Sequence, residues 1–287
     1  MIGYKQIIQN EFVWREHMGT LVPLSMPHID PKLSLRNAQQ CAKDNGVLLI
    51  RWNTGFDSNE STDWWHIIKD KQEELGDLSG NTRRGVQRGS KNYEVLQVDT
   101  NVVKQKCYEV YLETFLAYDT IEKPLKQQDF CLAIETLPTE TEFWCLVEKS
   151  TNTIVGFSEN LVRDNACFYS SIWIIPSAKR GFAGYALFHE MNKYYLNVKE
   201  CQYVSDGARS ISHDTNVHEF LESKFGFRKA YSTLNIVYVP WFGRLVRISY
   251  PARKLFRVLP TKFFRKISIV LFQEEIKRSH QKKSNNK

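Results

Sequence analysis

Hydrophobic positions follow two different periods along the chain, and the switches between them predict the order of helices and strands. Apolar residues recur at helical spacing in 101–118, 182–198 and 215–225. Short apolar runs bounded by turn residues predict strands at 142–149, 153–162, 166–176, 202–206 and 230–240. The predicted order from residue 101 is helix, three-strand meander, helix, strand, helix and strand.

The connections in this order determine the type of sheet. Strands of a meander pair antiparallel, whereas the helical crossover from 166–176 to 202–206 requires a parallel or near-parallel pair. We therefore predict an α/β (α+β) fold with a mixed central sheet flanked by helices.

The first 98 residues carry a shorter version of the same pattern. We predict a helix over 34–46 that ends at Asn45-Gly46, a polar helix over 73–88, and strands at 47–52, 63–70 and 93–99. The predicted organisation is an N-terminal α/β subdomain at 1–98, a main domain at 99–240 and a C-terminal tail at 241–287.

Charge is distributed unevenly along the chain. The 287 residues carry 39 Lys and Arg against 32 Asp and Glu, a net charge of +7. From 241 to 287 there are 13 basic and two acidic residues, a net of +11, which leaves 26 basic against 30 acidic, or −4, for the rest. The body is thus mildly acidic, and the basic character belongs to the tail.

Composition favours a soluble globular protein, because 42% of the residues are hydrophobic and 25% are charged. We find no apolar run long enough for a transmembrane helix and no signal-peptide pattern. The six cysteines are far apart and form no C-x-x-C pair, which favours reduced, buried thiols. We expect a cytoplasmic protein, peripheral to a membrane if the tail binds lipid.

The segment "KRGFAGYALF" at 179–188 places two glycines and an arginine before a predicted helix. A strand that ends where a helix begins directs free backbone N–H groups at one point, which favours an anion such as a pyrophosphate. Glycine lets phosphates approach the backbone, and Arg180 would add a bidentate contact. The alternative is a plain strand-to-helix turn.

Three stretches within 100–240 resemble the GCN5-related N-acetyltransferase (GNAT) superfamily. "CLVEKSTNTIVGFSENLV" is similar to its second and third strands, and "IWIIPSAKRGFAGYALF" to its fourth strand, acyl-CoA pyrophosphate loop and next helix. "TNVHEFLESKFGF" is similar to the late helix that ends in a "GF" phrase. The resemblance implies a GNAT-like acyltransferase fold that takes acetyl-CoA or another acyl-CoA as co-substrate and needs no metal.

A second resemblance covers 47–98. "DWWHIIKD" and "LSGNTRRGVQRGSKNYEV" are similar to phrases of the Fem-type peptidoglycan-bridge aminoacyltransferases, which carry two GNAT-like domains. Only about 100 residues precede the GNAT-like region here, so the first domain would be partial. This resemblance implies a cell-envelope acceptor and, as an alternative donor, aminoacyl-tRNA.

The GNAT resemblance also implies which residues bind the cofactor. The family loop has Arg or Gln, then Gly three residues later and Gly or Ala five residues later. Gly184 and Ala186 fit the last two places when Gly181 takes the first, which leaves Arg180 one residue early. The implied cofactor contacts are Ile174, Ile175, Lys179, Arg180, Gly181, Ala183, Gly184 and Asn216.

Acyl transfer from a thioester requires a base for the acceptor and an acid for the leaving thiolate. Many GNAT proteins have a Tyr four residues before the "GF" glycine, where this chain has Glu222. Tyr185 is our candidate acid, with Tyr231 or a water as alternatives. His213 is the first candidate base because imidazole titrates near neutral pH, and Glu159 on a central strand is the second.

The segment "SDGARSISHDTN" at 205–216 follows a short strand at the carboxyl end of the sheet, where α/β sites open. It supplies three candidate acceptor-binding residues, Asp206, Arg209 and Ser210. The alternative is that Asp214 or Thr215 caps the next helix and that His213 is solvated.

Two further arginines are candidates for acceptor binding. Arg88 lies four positions after Arg84, and Lys91 lies three positions after Arg88, so all three lie on one helix face. They would hold a phosphate-bearing acceptor, or simply form a solvated face.

In the tail, large apolar residues alternate with Arg and Lys, and Pro251 and Pro260 interrupt it. We predict a helix at 261–278. This helix would either pack on the protein's own sheet or lie on an anionic membrane surface. Nucleic acid is a third possible ligand for its positive charge.

These observations lead to one function and two alternatives. We predict an acyltransferase that moves an acyl group from acyl-CoA to an amine or hydroxyl of a cell-envelope or sugar-type acceptor. The alternatives are an aminoacyl-tRNA-dependent Fem-like transferase and a non-catalytic scaffold that binds a partner or a membrane through its basic tail. Fold alone does not decide among them.

Overall fold

The computed structural model describes residues 5–9, 12–17, 19–118, 123–211, 216–258 and 261–285. The chain forms two compact units. Within the described residues, unit 1 comprises Ile67–Gly207 and Asn216–Arg228, and unit 2 comprises those of Tyr4–His66, Ala208–Thr215 and Lys229–Lys287. The predicted boundaries at 98 and 240 do not coincide with these units, because the tail folds together with the N-terminal segment.

The described residues form these strands in chain order: β1 (Lys5–Gln9), β2 (Phe12–His17), β3 (Thr20–Pro23), β4 (Leu49–Ser58), β5 (Trp65–Lys69), β6 (Tyr93–Val98), β7 (Thr141–Glu148), β8 (Thr153–Arg163), β9 (Ala166–Ile174), β10 (Tyr203–Ala208) and β11 (Arg228–Tyr238).

The α-helices are α1 (Leu35–Asp44), α2 (Gly80–Asn92), α3 (Thr100–Lys106), α4 (Tyr108–Leu116), α5 (Gln127–Glu135), α6 (Pro176–Arg180), α7 (Ala183–Lys193), α8 (Val217–Phe225), α9 (Pro240–Ser249), α10 (Arg253–Val258) and α11 (Lys262–Asn285). A π-helical turn at Tyr194–Val198 continues α7, and a 3₁₀ turn at Tyr250–Ala252 follows α9.

Unit 1 contains a mixed sheet with the strand order β5-β10-β9-β8-β7-β6. The strands from β6 to β9 pair antiparallel in chain order, and β10 pairs parallel with β9. The meander and the parallel crossover are therefore confirmed.

Helices cover both faces of the unit 1 sheet, because side chains alternate along its central strands. Phe143, Cys145 and Phe157 pack in one cluster with side chains of α3, α4 and α5. On the other face, Trp144 Nε1 donates to the hydroxyl of Tyr195 at 2.9 Å. The predicted arrangement of a mixed sheet flanked by helices is thus confirmed.

Unit 2 is built on a second set of strands in the order β1-β2-β3-β4-β11, with β3 and β4 parallel and the other pairs antiparallel. On one face, Cys41 and its neighbours in α1 pack on Trp14 and Ile50. A second cluster joins Leu49, Leu234 and Ile236 to Ile276 of α11. Helix α11 is therefore a core element of unit 2.

The predicted helix at 261–278 exists, but part of its charge is turned inward. Arg278 Nε lies 2.7 Å from Glu274 Oε1, and Lys277 Nζ donates to the carbonyl oxygen of Ile236 at 3.0 Å. Of the predicted alternatives for this helix, the structure shows packing on the protein's own sheet. Among the described residues, no helix is long and apolar enough to cross a membrane.

Several predicted elements are corrected. The polar helix begins at Gly80 rather than at 73, because the Ser79 side chain caps it by accepting from the N–H of Thr82. The helix at 101–118 is two helices that meet at Cys107. Strands β1 to β3 and helix α5 were not predicted. All six cysteines are free thiols, and only Cys131 is not fully buried.

Candidate functional site

The candidate phosphate loop lies in unit 1, after β9. We expected the strand to extend to 176 and to enter the glycine segment directly. Instead β9 ends at Ile174, Ile175 is the N-cap of α6, and Pro176 occupies its first turn. Proline lacks an N–H for a strand ladder, and its fixed φ suits a helix start. Lys179 and Arg180 are exposed at the end of this short helix.

Two residues, Gly181 and Phe182, connect α6 to α7. A Cβ at Gly181 would lie 2.1 Å from the hydroxyl of Tyr93, so this position has no room for a side chain. Phe182 has φ 67° and ψ 24°, a left-handed conformation that favours glycine and strains other residues. The backbone therefore takes a glycine-like turn at a phenylalanine.

The N-terminus of α7 presents free donors. The carbonyl oxygen of Phe182 accepts the N–H groups of Tyr185 and Ala186 at 3.0 and 3.3 Å. Within the described part of the chain, the N–H groups of Ala183 and Gly184 have no such acceptor. A Cβ at Gly184 would meet no atom within 4 Å. Two donors beside open space suit an anion.

Helix α2 packs against the beginning of α7 through its glycines. A Cβ at Gly85 would lie 2.6 Å from the ring of Tyr185, and one at Gly89 would lie 2.5 Å from the carbonyl oxygen of Phe182. The guanidinium of Arg88 lies 5.5 Å from the centre of the Phe182 ring. The predicted basic face is exposed, as expected, and it brings Arg88 beside the loop.

Tyr185, our candidate acid, is part of an aromatic cluster. Its ring centre lies 5.0 Å from that of Phe220 and 5.6 Å from that of Phe182. Burial raises the pKa of its hydroxyl. These contacts give the ring a packing role between α2, α7 and α8.

Strands β9 and β10 separate soon after they meet. Their parallel pairing joins Tyr203, Val204 and Ser205 to Ala166, Cys167 and Phe168 and goes no further among the described residues. Strand β9 nevertheless continues to Ile174. At Gly207 the backbone has φ 90°, and a Cβ there would lie 3.0 Å from the ring of Phe168. We call this separation beyond Ser205 the β9–β10 opening.

A carboxylate–histidine pair stands where the opening begins. Asp206 directly follows the last paired residue of β10, and its Oδ2 lies 3.3 Å from Nε2 of His218 on α8. Burial raises the pKa of Asp206, and the hydrogen bond and charge of His218 oppose that shift only in part. A carboxyl group with a raised pKa binds a proton more readily than a solvated one.

Tyr118 lies near the same pair. Burial, followed by the charge of Asp206, raises the pKa of its hydroxyl, so the group is protonated at neutral pH. Lys179 Nζ lies 5.3 Å from the centre of the Tyr118 ring, and partial desolvation of this largely exposed side chain lowers its pKa. Lys179 thus contacts Tyr118 beside the loop, and the charge of Asp206 acts on the Tyr118 hydroxyl.

Glu159, the second candidate base, is buried. Its side chain is on β8 at an irregularity in the pairing with β9, and the residue is 2% exposed. Its Oε1 accepts from the hydroxyl of Ser170 at 2.7 Å.

The remaining predicted residues are distributed elsewhere. Arg209 and Ser210 belong to unit 2, where Arg209 Nη1 donates to the carbonyl oxygen of Asp63 at 2.8 Å and its guanidinium stacks on Phe272. Asn216 is an exposed N-cap of α8 without a side-chain capping bond. His213, with the capping candidates Asp214 and Thr215, lies outside the described residues. Arg84 Nη2 pairs with the side-chain oxygen of Asn81.

Sequence reasoning missed His218 and Tyr118. His218 shares the buried face of α8 with Leu221 and Phe225, three and seven residues on. A histidine at an apolar helical position was the available signal. Its partner Asp206 had been selected only as an acceptor-binding residue. The described residues contain no group of three or more His, Cys, Asp or Glu that would hold a metal ion.

Comparison with known proteins shows which solved structures share this fold. No protein-family profile and no curated protein sequence matches the chain. The solved structure of FemX matches with a TM-score of 0.56 at 9% identity, over 86% of this chain and 90% of that one. A tandem GNAT protein from the clavulanic acid biosynthesis pathway matches with a TM-score of 0.48 at 10% identity, over 79% of each chain.

The C-terminal domain of a putative lysylphosphatidylglycerol synthetase from Agrobacterium fabrum matches with a TM-score of 0.45 at 10% identity, over 71% of this chain and 70% of that one. The match to FemX confirms, at the level of fold, the resemblance predicted from the sequence. The chain has a GNAT-like fold with Fem-like structural relatives.

Proposed function

We propose that the protein is an acyltransferase that moves an acyl group from acyl-CoA to an amine or hydroxyl. The observation that carries this proposal is the conjunction of an open helix N-terminus, at Ala183 and Gly184, with the β9–β10 opening in the same unit. The first suits a pyrophosphate, and the second gives an extended thioester arm a path between two strands.

Backbone N–H groups would provide the main contacts to the acyl-CoA donor. The N–H groups of Ala183 and Gly184, reinforced by the α7 dipole, would bind the pyrophosphate. The exposed cations Lys179 and Arg180 would add charge-assisted hydrogen bonds. With Lys179 in the first place of the family motif, Phe182 and Gly184 take the two small-residue places. The left-handed backbone at Phe182 supports this register over the one that begins at Gly181.

Proton transfer would be carried out by the groups at the opening. The acceptor nitrogen or oxygen attacks the thioester carbonyl, and His218, held by Asp206, accepts the proton that the acceptor loses. The carbon–sulfur bond then breaks, and the leaving thiolate takes a proton from the hydroxyl of Tyr118. Lys179 beside that ring favours negative charge there.

The acceptor class is proposed from the Fem-like relationship and from charge. Arg84 and Arg88 are exposed on α2, and Arg88 lies beside the loop. They would attract a phosphate-bearing envelope or sugar-type acceptor.

A second candidate is transfer of an aminoacyl group from aminoacyl-tRNA, as the resemblance to Fem-type enzymes implies. Phenylalanine at a glycine-like turn supports it, because its ring stands where the family brings phosphates close to the backbone.

Binding of CoA, measured by calorimetry and by thermal unfolding, tests the first proposal. At a hundred-fold excess over Kd, CoA should raise Tm by about 5 °C. Gly184→Val should abolish the shift, since its side chain would extend into the open space where a Cβ meets no atom within 4 Å. Gly80→Val is the matched control, because Gly80 is also in a first helical turn and a Cβ there meets nothing within 4 Å.

The outcomes separate the candidates. No binding of CoA by the wild-type protein at millimolar concentration overturns the acyl-CoA proposal. Binding of aminoacyl-tRNA in the same preparation would then support the second candidate, and binding of neither would favour a scaffold.

A further inference from the structure

Helix α9 of unit 2 exposes a stripe of large apolar side chains. Trp241, Leu245 and Ile248 are 57%, 51% and 75% exposed. They are spaced four and three residues apart and therefore lie on one face of the helix. The opposite face is used for packing, because Val246 is buried and Phe242 contacts Tyr238 and the unit 2 core. We call Trp241, Leu245 and Ile248 the α9 stripe.

The stripe is accompanied by cations. Arg244 and Arg247 are exposed on the same helix, and Lys254 and Lys266 are exposed further along the tail. Two more large apolar side chains, Leu255 and Phe263, are also mostly exposed.

The acidic residues of the tail do not offset this charge at the surface. Glu274 is buried, with Oε1 2.7 Å from Arg278 Nε and Oε2 accepting from the Tyr238 hydroxyl at 3.0 Å. Glu275 pairs with Arg253 at 3.0 Å. Both carboxylates of the tail are thus paired within unit 2 and do not neutralise the exposed Arg244, Arg247, Lys254 and Lys266.

We propose that the α9 stripe docks this protein on an anionic lipid surface, with the helix lying in the plane of the interface. The pattern is that of an interfacial helix, in which Trp and aliphatic side chains enter the headgroup boundary and flanking cations contact anionic headgroups. The ten residues of α9 span about 15 Å, roughly half of a hydrocarbon core.

This surface differs from the predicted one. From the sequence, lipid binding was an alternative for the tail at 241–287, with 261–278 as the candidate helix, but that segment belongs to α11 and contributes to the unit 2 core. Nucleic acid fits the exposed side chains less well, because binding to phosphates needs the cations alone and leaves Leu245 and Ile248 without a role. The proposal is independent of the chemistry at the β9–β10 opening.

Vesicle flotation of the full chain tests the surface. The protein should float with phosphatidylcholine–phosphatidylglycerol vesicles and much less with phosphatidylcholine alone. The triple variant Trp241→Ser, Leu245→Ser, Ile248→Ser should lose at least about ten-fold in partitioning. The pair Arg244→Glu, Arg247→Glu should lose a similar factor at low salt.

A matched control uses exposed apolar residues of unit 1. Leu116, Leu132 and Val198 are 69%, 59% and 65% exposed, and their triple replacement by Ser should leave flotation unchanged. All substituted side chains are exposed, so Tm and the circular dichroism spectrum should be retained.

Three results would overturn the proposal. The first is equal flotation of the wild type and both α9 variants. The second is binding of tRNA or duplex DNA, but not of anionic vesicles, by the wild type. The third is a dimer in solution that the stripe variant dissociates, without any vesicle binding.

Discussion

Unit 1 contains two carboxylate–histidine pairs with similar geometry and different surroundings. In the first, Glu73 Oε1 lies 3.0 Å from His189 Nδ1, and Lys69 Nζ lies 2.9 Å from the other oxygen. In the second, Asp206 lies 3.3 Å from His218 at the β9–β10 opening. The described residues place no Lys or Arg within ion-pair distance of Asp206.

The number of further partners distinguishes the two pairs. Lys69 also donates to the carbonyl oxygen of Phe225 at 2.8 Å, and Asn197 exchanges two hydrogen bonds with the backbone of Glu73. The Glu73 side chain is fully buried, whereas that of Asp206 retains 15% exposure. The same two chemical groups therefore stabilise the fold in one place and leave a proton acceptor accessible in the other.

Removing the charge of Glu73 should have the largest effect on stability. Glu73→Gln would leave the Lys69 ammonium buried without its carboxylate, which costs about 3–5 kcal/mol of unfolding free energy. Urea denaturation measures this loss of unfolding free energy. The control is Glu94→Gln, because Glu94 is an exposed glutamate on β6. A loss below about 1 kcal/mol would contradict a structural role for this pair.

The second pair should respond in activity instead. His218→Gln should lower kcat by about 100-fold or more if the imidazole takes the acceptor's proton. His189→Gln should lower Tm but leave kcat within about three-fold at temperatures where the variant is folded.

His213 is the alternative candidate for the catalytic base. If His213→Ala causes the large loss of activity and His218→Gln causes less than about a three-fold loss, the base is His213, as the sequence first indicated. If both substitutions cause a large loss of activity, the pH dependence of kcat of the two variants would show which histidine is the base.

The order of the strands from β7 to β11 and of helices α7 and α8 between them could be predicted because each carries its own period and turn residues, whereas α5 and α6 were missed. The pair at the opening could not, because it depends on contact between β10 and α8 across a segment of irregular sequence. His218 occupies an apolar helical position, so periodicity identifies it as core and says nothing of its partner. Gly85 and Gly89 were missed for a related reason, since their close contacts with α7 depend on packing rather than on local pattern.

Helix α6 shows the same limit at the loop. Pro176 is compatible with a strand end or a helix start, and the close contact of Gly181 with Tyr93, which the sequence does not show, lies at the turn between α6 and α7. The sequence therefore located the beginning of α7 but missed the short helix α6, so the glycine segment joins two helices rather than a strand and a helix.

The smallest effect that we predict is on the pH dependence of stability, where Asp206 and Asp70 should act in opposite directions. Burial raises the pKa of Asp206 above the model-peptide value of 3.8, and His218 offsets this only in part. For Asp70, burial also acts to raise the pKa, but Arg228, whose Nε lies 3.1 Å away, lowers it below 3.8 on balance.

A raised carboxyl pKa means that the folded state binds the proton more tightly than the unfolded state. The stability from Asp206 is therefore complete below pH 3.8 and is lost as pH rises through its folded-state pKa. The stability from Asp70 is present above pH 3.8 and is lost as pH falls through its lowered pKa. Urea denaturation at acidic and neutral pH, compared with wild type, should show Asp206→Asn gaining and Asp70→Asn losing relative stability towards neutral pH. Parallel pH profiles for the two variants would contradict the buried, proton-accepting state of Asp206 and remove its distinction from the Glu73 pair.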